Sequence, residues 1–321
     1  MDYPSSVPSA GLVNGKFVDE DPLAGTPGSL IPASWGNGVT EEILGVIGAA
    51  NLTATEGNNK QLLEAIKKLL SDASKRSGIL SGLLVNASFS ITVASQTGTF
   101  KADELSVQSA PSGVGYRLQN FSKVINLATT GVGGMDVGPA PVNGYVALYA
   151  IYNSVTGEQN ILAVNSTSTI APGVYGGGKM PNGYDASALI SVWATDVSGK
   201  LKVGAQRGRK VFIPLFQAFR GTVLLNASPL SIAGVVPPNA FEINGEMILL
   251  NNTGVLSFFN MVLSTNGGLG QQITSIKLDS GGSLGSNYSM PVIAPQTITI
   301  TCQSDSTAPV FEVYIGSYSF S

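Results

Sequence analysis

The sequence predicts a mainly β protein with a short α-helical section close to its N-terminus. From Leu83 to the last residue, Ser321, the chain consists of short runs of Val, Ile, Thr and Ser separated by turns rich in Gly and Asn. Only residues 40–76 combine helical apolar spacing with capping signals. Before them, residues 12–37 contain closely spaced prolines and glycines that stop any regular element.

The first segment, LVNGKFVDEDPLAGTPGSLIPASWGN at residues 12–37, is too interrupted to build its own core. Its Asn14-Gly15 pair predicts a tight hairpin turn, because this dipeptide tolerates positive φ at both central positions. The apolar side chains of the segment therefore need a surface supplied by the rest of the chain or by another protein. The candidates for contact with another protein are Phe17, Leu30, Ile31 and Trp35.

Two helices are predicted after this segment. The first begins with Thr40 as its N-cap, has two acidic residues in its first turn, and runs through Ala50. The second begins at a capping box formed by Thr53 and Glu56 and runs to about Arg76.

The second predicted helix carries a wide apolar stripe that fits two heptad seams. One seam consists of Leu62, Ile66, Leu69 and Ala73, and the other consists of Leu63, Ile66, Leu70 and Ala73. The first arrangement favours dimers and the second favours higher oligomers. The stripe therefore predicts self-association without its number, and the alternative is an ordinary helix packed on its own domain.

A second Asn-Gly pair, Asn244-Gly245, predicts another hairpin within residues 241–249. In a two-residue hairpin, Glu242 and Glu246 project from opposite faces, so they cannot flank one glycosidic bond as a catalytic carboxylate pair must. A carboxylate pair assembled from distant positions, or across subunits, stays open.

The composition is unusual for a chain without a predicted membrane span. Only 12% of the residues are charged, against about 25% in an average domain, and the mean hydropathy is +0.24. The most apolar window, residues 211–236, is interrupted by polar residues, and no signal peptide is apparent, so we expect no membrane insertion. Low charge with an apolar excess predicts that copies of the chain or other partners cover much of the surface.

Several classes of chemistry are excluded by missing residue types. The chain has no His and one Cys, Cys302, which excludes Ser-His-Asp and Cys-His catalysis, His-containing metal sites and an intrachain disulfide. The net charge of −3 offers no general attraction to nucleic acid. We therefore expect no cofactor, no metal and no nucleic-acid partner.

Two parts of the chain resemble a known family. Residues 2–66 contain the order Val-Pro, Leu-Val-Asn-Gly-Lys-Phe, Ser-Leu-Ile-Pro-Ala-Ser-Trp-Gly-Asn, and they resemble the N-terminal module of tail-fibre proteins from tailed bacteriophages of Gram-negative bacteria and from related phage-tail-like bacteriocins. The stretches VNGYVALYAIYNSVTGEQNILAV and VYGGGKMPNGYDASALISVW, within residues 142–193, are similar to a β domain found behind that module. The resemblance implies a homotrimer, a location in the virion tail and a role in host attachment.

With this resemblance, the expected fold is an elongated homotrimeric fibre with a short N-terminal α-helical or coiled-coil section and distal β-sandwich-like domains. The expected divisions are residues 1–38 for docking to phage tail or baseplate proteins, 39–77 for helical trimerisation, 78–212 for a β domain of the fibre shaft, and 213–321 for a receptor-binding β domain. The trimerisation candidates are Leu62, Ile66, Leu69 and Ala73.

The expected function is adsorption to a host cell through a bacterial surface glycan, pilus or outer-membrane protein, without enzymatic activity. The candidate receptor-binding residues lie in the Gly- and Asn-rich stretches 265–271 and 281–289, and they are Asn266, Asn287 and Tyr288. Tyr288 is the expected stacking residue, unless it packs in the core. The alternatives are a tailspike-like glycan depolymerase, whose regular solenoid repeat is not visible, and a purely structural tail component.

Overall fold

The computed structural model describes residues 3–25, 27–76, 81–265 and 267–321. The chain divides into two compact units, Met1–Ser77 and Gly78–Ser321, which we call the N-terminal unit and the C-terminal unit. Among the described residues, the α-helices belong to the N-terminal unit and the strands to the C-terminal unit. The prediction of a mainly β protein with a short helical section is therefore confirmed.

The elements have the following bounds. The helices are a short 3-10 helix (Pro8–Ala10), α1 (Ala33–Ala49) and α2 (Gln61–Arg76). The strands are β1 (Leu84–Val85), β2 (Ser88–Ile91), β3 (Thr97–Gln108), β4 (Gly115–Asn126), β5 (Tyr145–Tyr152), β6 (Gln159–Asn165), β7 (Ala186–Ala194), β8 (Gly204–Arg207), β9 (Lys210–Gly221), β10 (Leu225–Ser231), β11 (Ala240–Asn251), β12 (Ser257–Ser264), β13 (Gln272–Leu278), β14 (Ser283–Pro291), β15 (Thr297–Ser304) and β16 (Pro309–Phe320).

The N-terminal unit begins with the predicted Asn-Gly turn. Val13 and Lys16 exchange two backbone hydrogen bonds of 3.0 and 3.1 Å, while Asn14 and Gly15 have φ of 52° and 74°. The turn prediction is confirmed because its requirement is local: both central residues must tolerate positive φ.

The starts of both helices differ from the prediction. Helix α1 begins at Ala33 rather than at Thr40, because the Pro32 carbonyl already accepts the N–H groups of Trp35 and Gly36 at 3.0 and 3.1 Å. Thr40 is therefore an interior helical residue, and its Oγ1 donates back to the Gly36 carbonyl at 3.0 Å. Pro is favoured at helix starts because its φ is already helical and it has no N–H to satisfy.

Helix α2 starts at Gln61, so the predicted capping box of Thr53 and Glu56 is wrong. The Gln61 side chain instead joins the helix to the preceding turn. Its Oε1 accepts the Thr55 N–H at 2.8 Å, and its Nε2 donates to the carbonyls of Thr55 and Asn58 at 2.6 and 2.9 Å. The two helices then pack through a small buried cluster of Ile47, Ala50 and Ala65.

The C-terminal unit contains two antiparallel sheets. A twelve-stranded sheet follows the order β14-β11-β16-β9-β8-β2-β3-β7-β5-β6, with β1 and β4 also paired to β3. A four-stranded sheet has the order β10-β15-β12-β13. Strand β9 joins two parts of the large sheet, because residues 210–212 pair with β8 and the strand pairs with β16 from Lys210 to Gly221. The predicted division between residues 212 and 213 falls inside this strand.

Side-chain hydrogen bonds from three residues, together with the bond from the Phe320 N–H to the Arg209 carbonyl at 3.1 Å, connect the residues before β9 with those after it. The Tyr145 hydroxyl donates to the Ala233 carbonyl at 2.9 Å and the Tyr318 hydroxyl to the Val192 carbonyl at 2.8 Å. The Asn239 side chain accepts the Ala171 N–H at 2.8 Å and donates to the Ala171 carbonyl at 2.9 Å.

The core draws on nearly every residue of β5 and β7 and on alternate positions of strands such as β15. Trp193 on β7 is almost fully buried, its ring lies 4.8 Å from that of Phe89, and its Nε1 donates to the Lys202 carbonyl at 2.9 Å. Between the two sheets, Phe259 of β12 and Phe311 of β16 are fully buried with ring centroids 5.9 Å apart. Residues pointing inward from both sheets thus form one apolar layer.

The second Asn-Gly pair is not a turn. Strand β11 runs uninterrupted from Ala240 to Asn251, and Gly245 lies in its middle, where the register with β16 shifts. A Cβ on Gly245 would overlap the carbonyl oxygen of Tyr314. Gly is needed here because two backbones approach closely. The continuity of β11 also corrects the predicted positions of the two carboxylates. Glu242 and Glu246 are four positions apart in one strand with regular pairing to β14, so they lie on the same face.

Candidate functional site

The N-terminal unit places the four docking candidates in two different environments. Phe17 and Trp35 are half-buried against each other, with ring centroids 5.2 Å apart in an edge-to-face arrangement, and Tyr3 lies 5.5 Å from Phe17. Leu30 and Ile31, which precede α1, are 68% and 62% exposed. The two aromatic rings thus form a local cluster, and the two aliphatic side chains extend into solvent.

Helix α2 exposes most of its predicted stripe. We call Leu62, Leu63, Ile66 and Leu70 the α2 stripe, and all four are exposed. Leu69 instead packs on the buried cluster between the helices, so one of the two predicted seams is partly used within the chain. The side chain of Ala73 lies outside the described residues.

Of the receptor candidates, the structure describes Tyr288 and Asn287, which are adjacent on β14 and differ in exposure. Tyr288 is 4% exposed and its hydroxyl donates to the Tyr314 carbonyl at 2.9 Å; this burial raises its pKa. Tyr288 is therefore a core residue, because it occupies an inward position of β14. Asn287 is exposed on the same strand, opposite Glu246. Asn266 lies outside the described residues.

One of the two predicted recognition loops is shorter than expected, and the other keeps its predicted bounds between the end of β12 and the start of β13. Residues 283–291 form strand β14, so only the turn before it remains of the second loop. In the first loop, Thr265 donates its N–H to the Leu269 carbonyl at 2.9 Å and Gly268 donates to the Thr265 carbonyl at 3.0 Å. Thr265 is thus joined to Gly268 and Leu269 by hydrogen bonds at the start of this loop.

A different group of loops lies at one end of the paired sheets, and sequence reasoning missed it. Strand register brings together the connections at residues 222–224, 252–256, 279–282 and 305–308, which we call the Asn251 end. Asn251 is fully buried there. Its Nδ2 donates to the carbonyls of Val255, Leu278 and Asp279 at 2.8, 2.9 and 3.2 Å.

The side-chain oxygen of Asn251 joins a further loop to this network. The Oδ1 of Asn251 accepts the hydroxyls of Thr253 and Ser306 at 2.7 and 3.2 Å. One side chain therefore holds three of the four loops of the Asn251 end. Around it, exposed apolar side chains are available for contact, and they are Val223, Leu224, Val255 and Leu256. The signal in the sequence was an Asn followed two residues later by Thr at the end of a strand, which is typical of a side-chain-capped turn.

Two carboxylates of the strands β11 and β16, Glu242 and Glu312, are occupied by structural hydrogen bonds. Oε1 of Glu242 accepts from Asn244 and Ser289 at 3.1 and 2.9 Å. Glu312 is mostly buried, forms an ion pair of 2.6 Å with Arg220 and accepts the Tyr314 hydroxyl at 3.0 Å.

Although Glu242 and Glu246 share a face, four strand positions correspond to roughly 13 Å between Cα atoms, which exceeds the carboxyl separation in most glycosidases, about 5–9.5 Å. Within the described part of the chain, no group of three or more Asp, Glu, Cys or His side chains could hold a metal ion. A search of the same residues finds no helix long and apolar enough to cross a membrane.

Comparisons with known proteins give no assignment. No family model and no curated protein matches the chain. The chain is 14% identical to an exo-β-1,3-galactanase from Phanerochaete chrysosporium, whose structure has been solved. The match covers 72% of this chain and 68% of the galactanase, with a TM-score of 0.17. A family 43 arabinoxylan arabinofuranohydrolase from Bacillus subtilis is 11% identical, with coverages of 70% and 52% and a TM-score of 0.16.

The VP2 protein of infectious bursal disease virus is 9% identical, with coverages of 79% and 78% and a TM-score of 0.15. Scores this low carry no argument about fold or function.

Proposed function

We propose that this chain is a homotrimeric tail fibre of a bacteriophage or of a phage-tail-like bacteriocin, and that it attaches the particle to its host. Its N-terminal unit docks to tail or baseplate proteins and gathers the chains through a helical, coiled-coil-like section. Its distal, sandwich-like β region contacts a glycan, pilus or outer-membrane protein of the bacterium. The support comes from the sequence resemblance together with the surfaces that the two units expose.

The observation that carries the assembly part of this proposal is the α2 stripe. Four large aliphatic side chains are exposed on one helix of a chain that is only 12% charged. Leu63, Ile66 and Leu70 follow heptad spacing and all remain free of the α1 contact that uses Leu69. A second and third copy of the same stripe would bury them.

Docking to the tail is supported by Leu30 and Ile31. These side chains precede α1 in the chain, and they are exposed while the rings of Phe17 and Trp35 are half-buried. An interface that buries both would gain about 25 cal/mol for each Å² of apolar surface removed from water.

We propose that the Asn251 end and, on the same β region, Asn287 recognise the host. Loops held by a rigid scaffold are where binding residues concentrate, and Asn251 supplies that rigidity to three loops. The proposal is non-enzymatic, because Glu242 and Glu312 are engaged in structural hydrogen bonds and an ion pair.

Light scattering of the purified full-length protein tests assembly. We expect a mass three times that of the 33.0 kDa chain. The double variant Ile66→Asp/Leu70→Asp should lower it towards one chain, because each substitution would bury an unpaired charge in the interface. Lys68→Asp, on the same helix but outside the stripe, is the control and should stay trimeric. A folded wild-type protein that runs as one chain would refute the trimer.

Binding of the full-length protein to whole host cells tests attachment. We expect Val255→Ser/Leu256→Ser to abolish binding without changing the oligomeric state, and the even more exposed pair Val155→Ser/Val197→Ser to bind as the wild type does. Host mutants that lack surface glycan or pili identify the receptor class. Attachment is contradicted if the wild-type protein binds no host cells, and the Asn251 end is not the contact if both double variants bind equally.

Leu30→Ser/Ile31→Ser tests docking separately. Particles assembled with this variant should lack fibres, while the purified variant still forms its oligomer and still binds cells. Particles that carry the normal number of fibres would show that these two residues do not dock to the tail.

A further inference from the structure

The C-terminal unit contains a small cavity, which we call the tyrosine pocket, away from the Asn251 end. It has a volume of about 240 Å³ and lies between β5, the end of β6 and the chain at residues 169–177. This volume corresponds to about eight water molecules, which suits one pyranose ring and is smaller than the pockets that hold drug-sized ligands.

Two aromatic rings form part of the wall. Tyr149 and Tyr175 meet edge to face, with centroids 5.6 Å apart and planes at 81°. Both hydroxyls are already used: that of Tyr149 donates to the Pro172 carbonyl at 2.8 Å, and that of Tyr175 to Oδ2 of Asp136 at 3.0 Å. The rings are therefore fixed in place. Tyr149 is 2% exposed and supports Tyr175, whose half-buried ring offers the carbon surface that a ligand would contact. Such surfaces suit the C–H faces of a sugar ring.

A serine hydroxyl provides the second observation. Ser166 lines the tyrosine pocket and is 1% exposed, and its Oγ has no hydrogen-bond partner. A buried hydroxyl without a partner costs free energy that a ligand hydroxyl would recover. Because a hydroxyl both donates and accepts, it matches the hydroxyls of a sugar in either direction.

The charge of the lining selects among ligands. None of the eleven described residues that line the pocket is Asp, Glu, Lys or Arg. The nearby carboxylate of Asp136 is occupied by the Tyr175 hydroxyl. A charged ligand would lose its hydration here without gaining an opposite charge, so the pocket is suited to a neutral ligand.

We propose that the tyrosine pocket binds one neutral pyranose unit, held by the ring of Tyr175, which Tyr149 supports from behind, and by a hydrogen bond to Ser166. Its biological meaning as part of host attachment rests on the proposed function, whereas sugar binding itself does not. The pocket is also separate from the proposed contact at the Asn251 end.

Saturation-transfer NMR and calorimetry of the full-length protein test the proposal. The probes are methyl α-glucopyranoside, methyl α-galactopyranoside and N-acetylglucosamine, with glucuronate and glucosamine as charged counterparts. We expect at least one neutral probe to bind with millimolar affinity and both charged probes to bind at least tenfold more weakly. If none of the three neutral probes binds, the proposal is overturned.

Matched serine variants locate the site. Ser166→Ala should weaken binding about tenfold, the usual value of one hydrogen bond. Ser191→Ala is the control, because Ser191 is also buried with an unpartnered Oγ but does not line the pocket. Equal affinities of the two variants would overturn the assignment. Cell binding measured in parallel separates the proposals: sugar binding without cell adsorption refutes only host attachment, and the reverse refutes only the tyrosine pocket.

Discussion

Gly245→Ala gives a quantitative test of the close approach of β11 and β16. The added Cβ would lie 2.8 Å from the carbonyl carbon of Tyr314 and 3.0 Å from Cα of Ile315, besides overlapping the Tyr314 oxygen. Carbon atoms in contact are normally about 3.5–4.0 Å apart. All three atoms belong to the backbone and cannot rotate away, so the two strands must separate by roughly 1 Å.

The cost follows from this separation. Overpacking in a well-packed region costs about 1–3 kcal/mol. Weakening the pairing at Gly245 with Ile315 and at Glu246 with Tyr314 adds about 0.5–1.5 kcal/mol for each hydrogen bond affected. We therefore expect the free energy of unfolding to fall by about 3 kcal/mol, or the melting temperature by roughly 10 °C for a unit of this size.

The assay is denaturant unfolding followed by circular dichroism at one fixed protein concentration. Gly254→Ala is the control, because a Cβ there meets no atom within 4 Å and its φ is not positive. We expect the control to stay within about 0.5 kcal/mol of the wild type. A loss for Gly245→Ala no larger than that of the control would refute the close approach.

Three further predictions concern polar groups. Asn251→Ala should lower the free energy of unfolding by about 3 kcal/mol, because three backbone carbonyls lose their donor at once; denaturant unfolding measures it. Arg220→Ala should cost about 1 kcal/mol, because it leaves the mostly buried Glu312 without its ion pair, whereas Arg117→Ala, whose pair is more exposed, should cost less. Stability should fall as the pH rises above about 10, because burial raises the pKa of Tyr145 and of Tyr318.

The sign of the pH effect follows from proton binding. Below about pH 10 both states keep the phenolic protons, and above it the unfolded state releases them first, so each pH unit removes up to about 1.4 kcal/mol for each such group. Tyrosinate absorbance followed during unfolding measures it. Constant stability up to pH 12 would contradict the burial of these hydroxyls. Equal losses of stability in Arg220→Ala and Arg117→Ala would contradict the prediction for the ion pairs. An Asn251→Ala variant as stable as the wild type would contradict the prediction for Asn251.

The local features of the fold were predictable, and the non-local ones were not. Asn14-Gly15 forms its turn because the preference of the dipeptide decides the local conformation. Asn244-Gly245 has the same preference, but pairing with β14 and β16 on both sides overrides it. Helix α1 begins after Pro32, whose carbonyl accepts the N–H groups of Trp35 and Gly36. The acidic residues after Thr40 had predicted a later start.

The candidate sites divide along the same line. Exposure of Leu30, Ile31 and the α2 stripe agrees with apolar residues that the sequence left without a core. Tyr288 was misjudged because its neighbours are Ser and Asn, and only the alternation of β14 directs its ring inward. The Asn251 hydrogen bonds join residues as far as 55 positions apart, so no local pattern contains them.

The continuity of β9 has a consequence for where such a chain could be divided and recombined. A joint at residue 212 would divide one strand between two parents, whereas a joint at residues 208–209 would keep all of β9 with its partner β16. Across that joint, the side chains of Tyr145, Arg209, Asn239 and Tyr318 bond to backbone atoms of the other half, and β8 pairs with β9. Backbone atoms are present whatever the residue, so these bonds would survive in a foreign partner of the same backbone shape. The buried apolar side chains of the two halves form one cluster, so the packing of that core is what a recombined pair of halves would have to match.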